Sequence, residues 1–157
     1  MSGGGLFASA FALQQTLTAA GLHFCFIGGL VLARWGEPRF TEDIDLTLIC
    51  PFGNESGIAQ ALESMLPSRI QSPREFATEA RIYIGRMADG TPVDIALGGL
   101  PFEERTVKRA SHFAFADDVS LLTCSAEDLI VLKAFAARPK DWMDIEGVVI
   151  RYRIAPR

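Results

Sequence analysis

The chain has 157 residues, 49% of them hydrophobic and 22% charged, a composition that can bury a core and that excludes a disordered chain. The formal net charge is -4, with 6 Lys and Arg against 10 Asp and Glu in residues 1–99 and 9 against 9 beyond, so no basic tract supports broad nucleic-acid binding, although scattered residues could still build a local patch. Three cysteines, Cys25, Cys50 and Cys124, with no CxxC spacing, argue against a disulfide framework and a zinc site; two of them sit inside apolar runs and read as small core residues.

The N-terminus has no charged segment ahead of an apolar run, and no stretch is long enough to span a bilayer. A cytoplasmic protein with no membrane partner is the expectation. Leu6, Phe7, Phe11, Leu13 and Leu17 recur at helical spacing, which predicts a helix over 6–20 that stops at Gly21. His23 to Ile27 reads as a short buried strand closed by Gly28-Gly29, and Leu30 to Trp35 as a helix closed by Gly36 and Pro38. Asp43 to Ile49 alternates, with Ile44, Leu46 and Leu48 against Asp43, Asp45 and Thr47, the pattern of a half-buried strand. A helix is expected over 57–66. Arg81–Met87 and Pro92–Leu97, joined by Ala88-Asp89-Gly90-Thr91, read as a hairpin. Pro101 to Ala110 suits a helix with Pro in its first turn, Val119 to Thr123 a short strand, and Asp117-Asp118 a turn. Ser125-Ala-Glu-Asp128 has the form of a capping box opening a helix to about Ala137, and a last helix starts near Lys140. This order predicts a single domain over 1–157 of α/β (α+β) class, a mixed β-sheet flanked by α-helices, with no repeat or linker.

The chemistry concentrates in a few positions. Residues two apart on a strand share a face, so the Cα atoms of Asp43 and Asp45 lie roughly 6.6 Å apart on one side. Asp94, opposite in phase to Val93 and Ile95, brings a third carboxylate to the same side if the two strands are neighbours. Three such carboxylates repel one another and are best explained around divalent metal. Metal held there would activate an incoming hydroxyl and stabilise a leaving pyrophosphate. Gly28-Gly29, between a strand and a helix, would let a phosphate approach the backbone, but neither the Gly-Lys-Ser/Thr of a P-loop nor GxGxxG is present. His23 and His112 lack partners at metal-ligand spacing, and Glu127 and Asp128 are explained by capping.

Taken in order, Phe26-Ile-Gly-Gly-Leu and Asp43-Ile-Asp-Leu46 resemble the signature of the DNA polymerase β-type nucleotidyltransferase superfamily, with thirteen residues between Gly29 and Asp43. Arg39-Phe-Thr41-Glu-Asp43-Ile-Asp45 resembles the form found in its AbiEii toxin-like branch. Pro92-Val-Asp94-Ile fits the third carboxylate of that branch, and Ser125 to Lys133 with Arg138-Pro-Lys140-Asp141 fits its downstream helical part. The resemblance runs from about residue 20 to 149. It implies a nucleotidyltransferase fold that moves a nucleoside monophosphate from a nucleoside triphosphate to a hydroxyl. Asp43, Asp45 and Asp94 would bind Mg2+, with Asp94 also the general base. Gly28 and Gly29 would contact the triphosphate. Lys133 would approach the phosphates, or is a solvated helix lysine. Arg39 and Thr41 would line the nucleotide pocket, or shape the turn into the strand, and Arg138 would pair structurally with Asp141.

The acceptor stays open between RNA, protein and a small molecule, and the partner between an antitoxin and a second copy of the chain. A toxin of a toxin–antitoxin system is the leading reading. An antibiotic-modifying nucleotidyltransferase and a non-catalytic nucleotide-binding or partner module are the alternatives. The chain ends at Ile154-Ala-Pro-Arg157, where relatives carry further helices, so the C-terminal helical part reads as short and the acceptor site as minimal or completed by a partner.

Overall fold

In a computed structural model, described over residues 4–154, seven α-helices and six strands follow one another along the chain. The reading of the chain end at 155–157 lies outside the described residues. Helix α1 (Gly4–Ala19) leads to β1 (Phe24–Ile27), a 3-10 turn (Gly28–Val31) and the single-turn α2 (Leu32–Trp35). Then come β2 (Ile44–Ile49), α3 (Glu55–Glu63), α4 (Pro73–Ala80), β3 (Ile82–Arg86) and β4 (Pro92–Gly98). Helix α5 (Pro101–Arg109), β5 (Ser111–Ala116), β6 (Val119–Thr123), α6 (Ala126–Ala136) and α7 (Pro139–Ile154) complete the order. The expected mixed sheet is present, in the order β3-β4-β2-β1-β6-β5. Strands β2 and β4 are parallel, as are β1 and β6, and the remaining pairs are antiparallel.

The alternation on β2 and β4 is realised. Ile44, Leu46, Leu48, Val93, Ile95 and Leu97 are buried in one core with Phe24, Phe26, Leu13, Leu17, Leu62 and Tyr83. All three cysteines are free and buried, one more than the apolar runs implied, and burial pushes the Cys25 thiol up to about 12.

Two elements were not foreseen. Helix α4 has eight residues and fully buries only Ala77, with Pro73 and Phe76 half-buried, so its apolar stripe spans little more than one turn and is too short to stand out. Strand β5 is an edge strand exposed along most of its length, which removes the alternation that marks a half-buried strand. Two boundaries differ as well. The third predicted helix starts at Glu55 and ends at Glu63, and the segment after Gly28 opens as a 3-10 turn before its single α-turn.

Capping sets the helix that matters most for the cleft. The Ser125 hydroxyl accepts a hydrogen bond from the Asp128 N–H at 3.1 Å, as a cap should. The second half of the expected capping box is replaced, because the Asp128 carboxylate accepts from Arg109 on α5 at 3.0 and 2.6 Å. At the far end Ala137 takes a left-handed conformation (φ 55°) and Pro139 opens α7. This tight connection lays the start of α7 beside the last turn of α6. Helix α2 is tied to the strands by the Trp35 indole N–H, which donates to the Cys124 carbonyl at 2.8 Å, and by Arg34, which reaches the Thr123 hydroxyl at 2.9 Å.

Candidate active site

The site begins with strand register. In the parallel pair β2–β4, Asp45 lies directly opposite Asp94, so the two Cα atoms are about one inter-strand spacing of 4.8 Å apart. Both side chains therefore leave the same face. Asp43 sits one residue ahead of β2 and is exposed. On the other side of β2, Ile27 of β1 pairs with Asp45, which brings the following Gly28 against the Asp45 carboxylate. A Cβ at Gly28 would stand 2.6 Å from Asp45 Oδ2, and Gly28 has φ +77°, so glycine is required there twice over. A Cβ at Gly29 would meet the Thr41 hydroxyl at 3.0 Å. The two glycines thus let the carboxylate strand and the Arg39–Thr41 segment close in on the turn.

These residues line one cleft of about 400 Å³ between the carboxylate face of the sheet and the α6–α7 hairpin. Gly28, Gly29, Arg39, Thr41, Asp43, Asp45, Asp94 and Lys133, the whole set singled out from the sequence, all border it. Arg138 and Lys140 complete its basic side, with the Asp141 carboxylate set among them. His23 and His112 do not border it; they line a separate groove.

Electrostatics differ sharply between the two walls. On the sheet side, burial pushes the Asp45 carboxyl up to about 6, with the charges of Asp94 and Asp43 adding to it and Lys133 and Arg138 opposing. Asp94 accepts a hydrogen bond at Oδ1 from Arg69 Nη2 at 2.9 Å. Among the described residues no three His, Cys, Asp or Glu side chains gather closely enough to form a ready-made metal cage. The three aspartates instead share the cleft as oxygen donors whose negative charge is only partly compensated. That donor set suits a hard divalent cation, and the Arg69 guanidinium already places one positive group beside Asp94.

On the helix side the charges are paired. Lys133 is buried, and its Nζ donates to Asp144 Oδ2 at 2.9 Å and to Asp141 Oδ1 at 3.5 Å. The solvated-lysine alternative is thereby overturned: packing of α7 over α6 encloses the side chain. Arg39 grips Asp144 with Nε at 3.1 and 3.2 Å and Nη2 at 3.0 Å. Arg138 pairs with Asp141, as read from the sequence, through Nε at 2.6 Å and Nη2 at 3.0 Å. Hydrogen bonding from Arg138 holds the Asp141 carboxyl down to about 2, against its burial. Asp144 is lowered as well: burial works against this, and bonds from Arg39 and Lys133 prevail. Three cations on two carboxylates leave a net positive wall facing the aspartates.

Two contributors were missed. Asp144 lies three residues after Asp141 on α7, so the i, i+3 spacing was a usable signal. Arg69 stands in the irregular segment between α3 and α4, where no periodicity marks it.

Asp45 and Asp94 in register on two parallel strands, Asp43 just ahead of one of them, a glycine turn and a basic wall are the arrangement that the sequence resemblance implies. Residues 12–149 match the family AbiEii, described as "Nucleotidyl transferase AbiEii toxin, Type IV TA system". The chain belongs to the AbiEii nucleotidyltransferase family.

Solved structures agree on the fold of this AbiEii member. An antigenic nucleotidyltransferase-like protein from Paracoccidioides brasiliensis superposes with TM-score 0.61 at 17% identity, covering 99% of this chain and 78% of that one. The lincosamide antibiotic adenylyltransferase LnuA, lincomycin-bound, gives 0.56 at 13% identity, covering 90% and 95%. The antibiotic-resistance factor ANT(2'')-Ia gives 0.61 at 19% identity, covering 97% and 85%. No curated protein sequence matches. Among the described residues no helix is long and apolar enough to cross a membrane.

Proposed function

We propose that this AbiEii-family nucleotidyltransferase moves a nucleoside monophosphate from a nucleoside triphosphate to a hydroxyl acceptor, with magnesium held by Asp43, Asp45 and Asp94, and that it acts as a toxin. The observation that carries the reading is the Asp45–Asp94 register beside the Gly28 turn, facing a net positive wall across one cleft. The net positive wall of Arg39, Lys133 and Arg138 would receive the triphosphate, and Lys140 lies at the same side of the cleft. Bound magnesium would neutralise the aspartates and the phosphates and favour departure of pyrophosphate. Asp94 would take the proton of the acceptor hydroxyl as its oxygen bonds to the α-phosphorus. The bond between that phosphorus and the bridging oxygen breaks, and pyrophosphate leaves with the electron pair. The toxin role rests on the family description alone. An antitoxin or a second copy of the chain remains the partner to seek.

Thermal unfolding with and without nucleotide tests the first step. A ligand at about 100 times its dissociation constant adds about 2.7 kcal/mol of stability. The shift should require both a triphosphate and magnesium, and Asp45→Asn should abolish it. Incubation with each α-labelled triphosphate and a cell extract then locates the acceptor. Label on RNA or protein supports the toxin reading, and label on a small molecule supports the antibiotic-modifying one. A stabilisation indifferent to magnesium, together with no transferred label, would leave only a nucleotide-binding module.

A further inference from the structure

Arg69 is outside every motif that marks this chain, yet it touches the one carboxylate assigned to the acceptor side. Its placement is built in several steps. The segment after α3 runs along the free edge of β3: Ser68 bridges Gly85, the Arg69 N–H donates to the Ile84 carbonyl at 3.1 Å, and the Arg86 N–H donates to the Pro67 carbonyl at 2.9 Å. The approach is possible because residue 85 has no side chain. A Cβ there would stand 2.6 Å from Leu66 Cδ2 and 3.0 Å from Tyr83 Cε1. Ile84 is the cross-strand partner of Asp94, so anchoring Arg69 at Ile84 fixes its reach to one strand over. The guanidinium then spans the gap, with Nη1 donating to the Gly85 carbonyl at 3.1 Å and Nη2 to Asp94 Oδ1 at 2.9 Å.

Backbone and side chain of Arg69 are therefore both tethered, and the Asp94 contact is the free end of a rigid brace. Among the described residues Asp94 Oδ2 accepts no hydrogen bond, and Asp45 is its like-charged neighbour across the strand pair. An unbraced Asp94 would swing away from Asp45, because like charges at this spacing repel. A guanidinium, planar and always charged, suits such a brace better than an ammonium.

We propose that Arg69 is the positioning residue for Asp94: it holds Oδ1 and keeps Oδ2 turned into the cleft, where metal and the acceptor hydroxyl would meet it, without itself binding the nucleotide. This rests on the reading of Asp94 as the group that receives the acceptor proton. The test compares wild type, Arg69→Gln, Arg69→Lys, Asp94→Asn and the double variant Arg69→Gln/Asp94→Asn. Two readouts are taken: magnesium-dependent binding of a non-hydrolysable triphosphate analogue by calorimetry, and transfer of α-labelled nucleotide to the acceptor fraction of a cell extract. Arg69→Gln should lose about 100-fold in kcat, on the scale of a mispositioned general base, with KM for the triphosphate and analogue binding within twofold of wild type. Arg69→Lys should recover part of the loss. In the Asp94→Asn background, Arg69→Gln should cost nothing further, since the two act as a unit.

Analogue affinity that falls in step with activity in Arg69→Gln would overturn the proposal in favour of direct nucleotide contact. Full activity in Arg69→Gln, or an additive loss in the double variant, would overturn it too. Wild-type protein that neither binds the analogue nor transfers label would instead defeat the nucleotidyl-transfer reading of the site.

Discussion

At the scale of single residues, the cleft depends on an atom that is missing. Gly28 is tied to the site by the absence of a Cβ, because Asp45 Oδ2 occupies the space where one would project. Its positive φ adds a second penalty for any other residue, of about 1–2 kcal/mol. Gly28→Ala should therefore lower the melting temperature and also displace Asp45. Calorimetry should show the loss of stability, and transfer should fall by more than 100-fold, beyond what the lowered stability explains. A variant that keeps wild-type activity would show that the turn tolerates a side chain and that the Asp45 approach is not required. The shared face of Asp45 and Asp94 was readable in the sequence because strand periodicity alone decides it, whereas Asp43 stands one residue ahead of β2. Arg69 was not, because its role depends on an edge-strand approach between segments that no local pattern connects.

At the scale of elements, the α6–α7 hairpin and Arg39 together supply the positive wall. The hairpin geometry follows from local signals: the Ser125 cap, the left-handed Ala137 and Pro139 at the next helix start. Lys133, Asp141 and Asp144 are buried, whereas Arg138 is exposed, and breaking one of these pairs leaves a buried partner uncompensated. Asp141 makes this testable by pH. Its carboxyl is held down to about 2, so the ionised form is favoured in the folded protein and contributes stability above the ordinary carboxylate range. Asp141→Asn should be less stable than wild type at neutral pH, by roughly 1–2 kcal/mol after solvent screening of Arg138. That difference should shrink as pH falls from about 4 to about 2 and vanish below, as read by denaturant unfolding at each pH. A gap independent of pH would assign the effect to packing instead. The pairing of Arg138 with Asp141 was legible from their spacing, whereas the burial of Lys133 was not. Whether a helix lysine is solvated depends on what packs over it, and here that is α7.

At the scale of the whole molecule, the cleft joins segments that are distant in the chain. Strands β2 and β4 and the hairpin α6–α7 face one another across it, while β5 lies at the far edge of the sheet. Magnesium and a triphosphate together should slow amide exchange in β2, β4, α6 and α7 as one group, leaving β5 unchanged. Mass spectrometry of hydrogen exchange would show this directly, and protection confined to the β5–β6 hairpin would place the ligand elsewhere. Local sequence determined which residues are candidates. Alternation put Asp45 and Asp94 opposite the buried Ile and Val positions, and the glycine pair marked the turn, because both are properties of neighbouring residues on one chain segment. Only the tertiary structure decided which candidates meet. Strand order and register align Asp45 with Asp94, and the edge approach of residues 67–69 delivers Arg69. Helix α4 and strand β5 likewise took shape through contacts: the apolar stripe of α4 is barely one turn long, and an edge strand exposed along most of its length has no buried face to alternate.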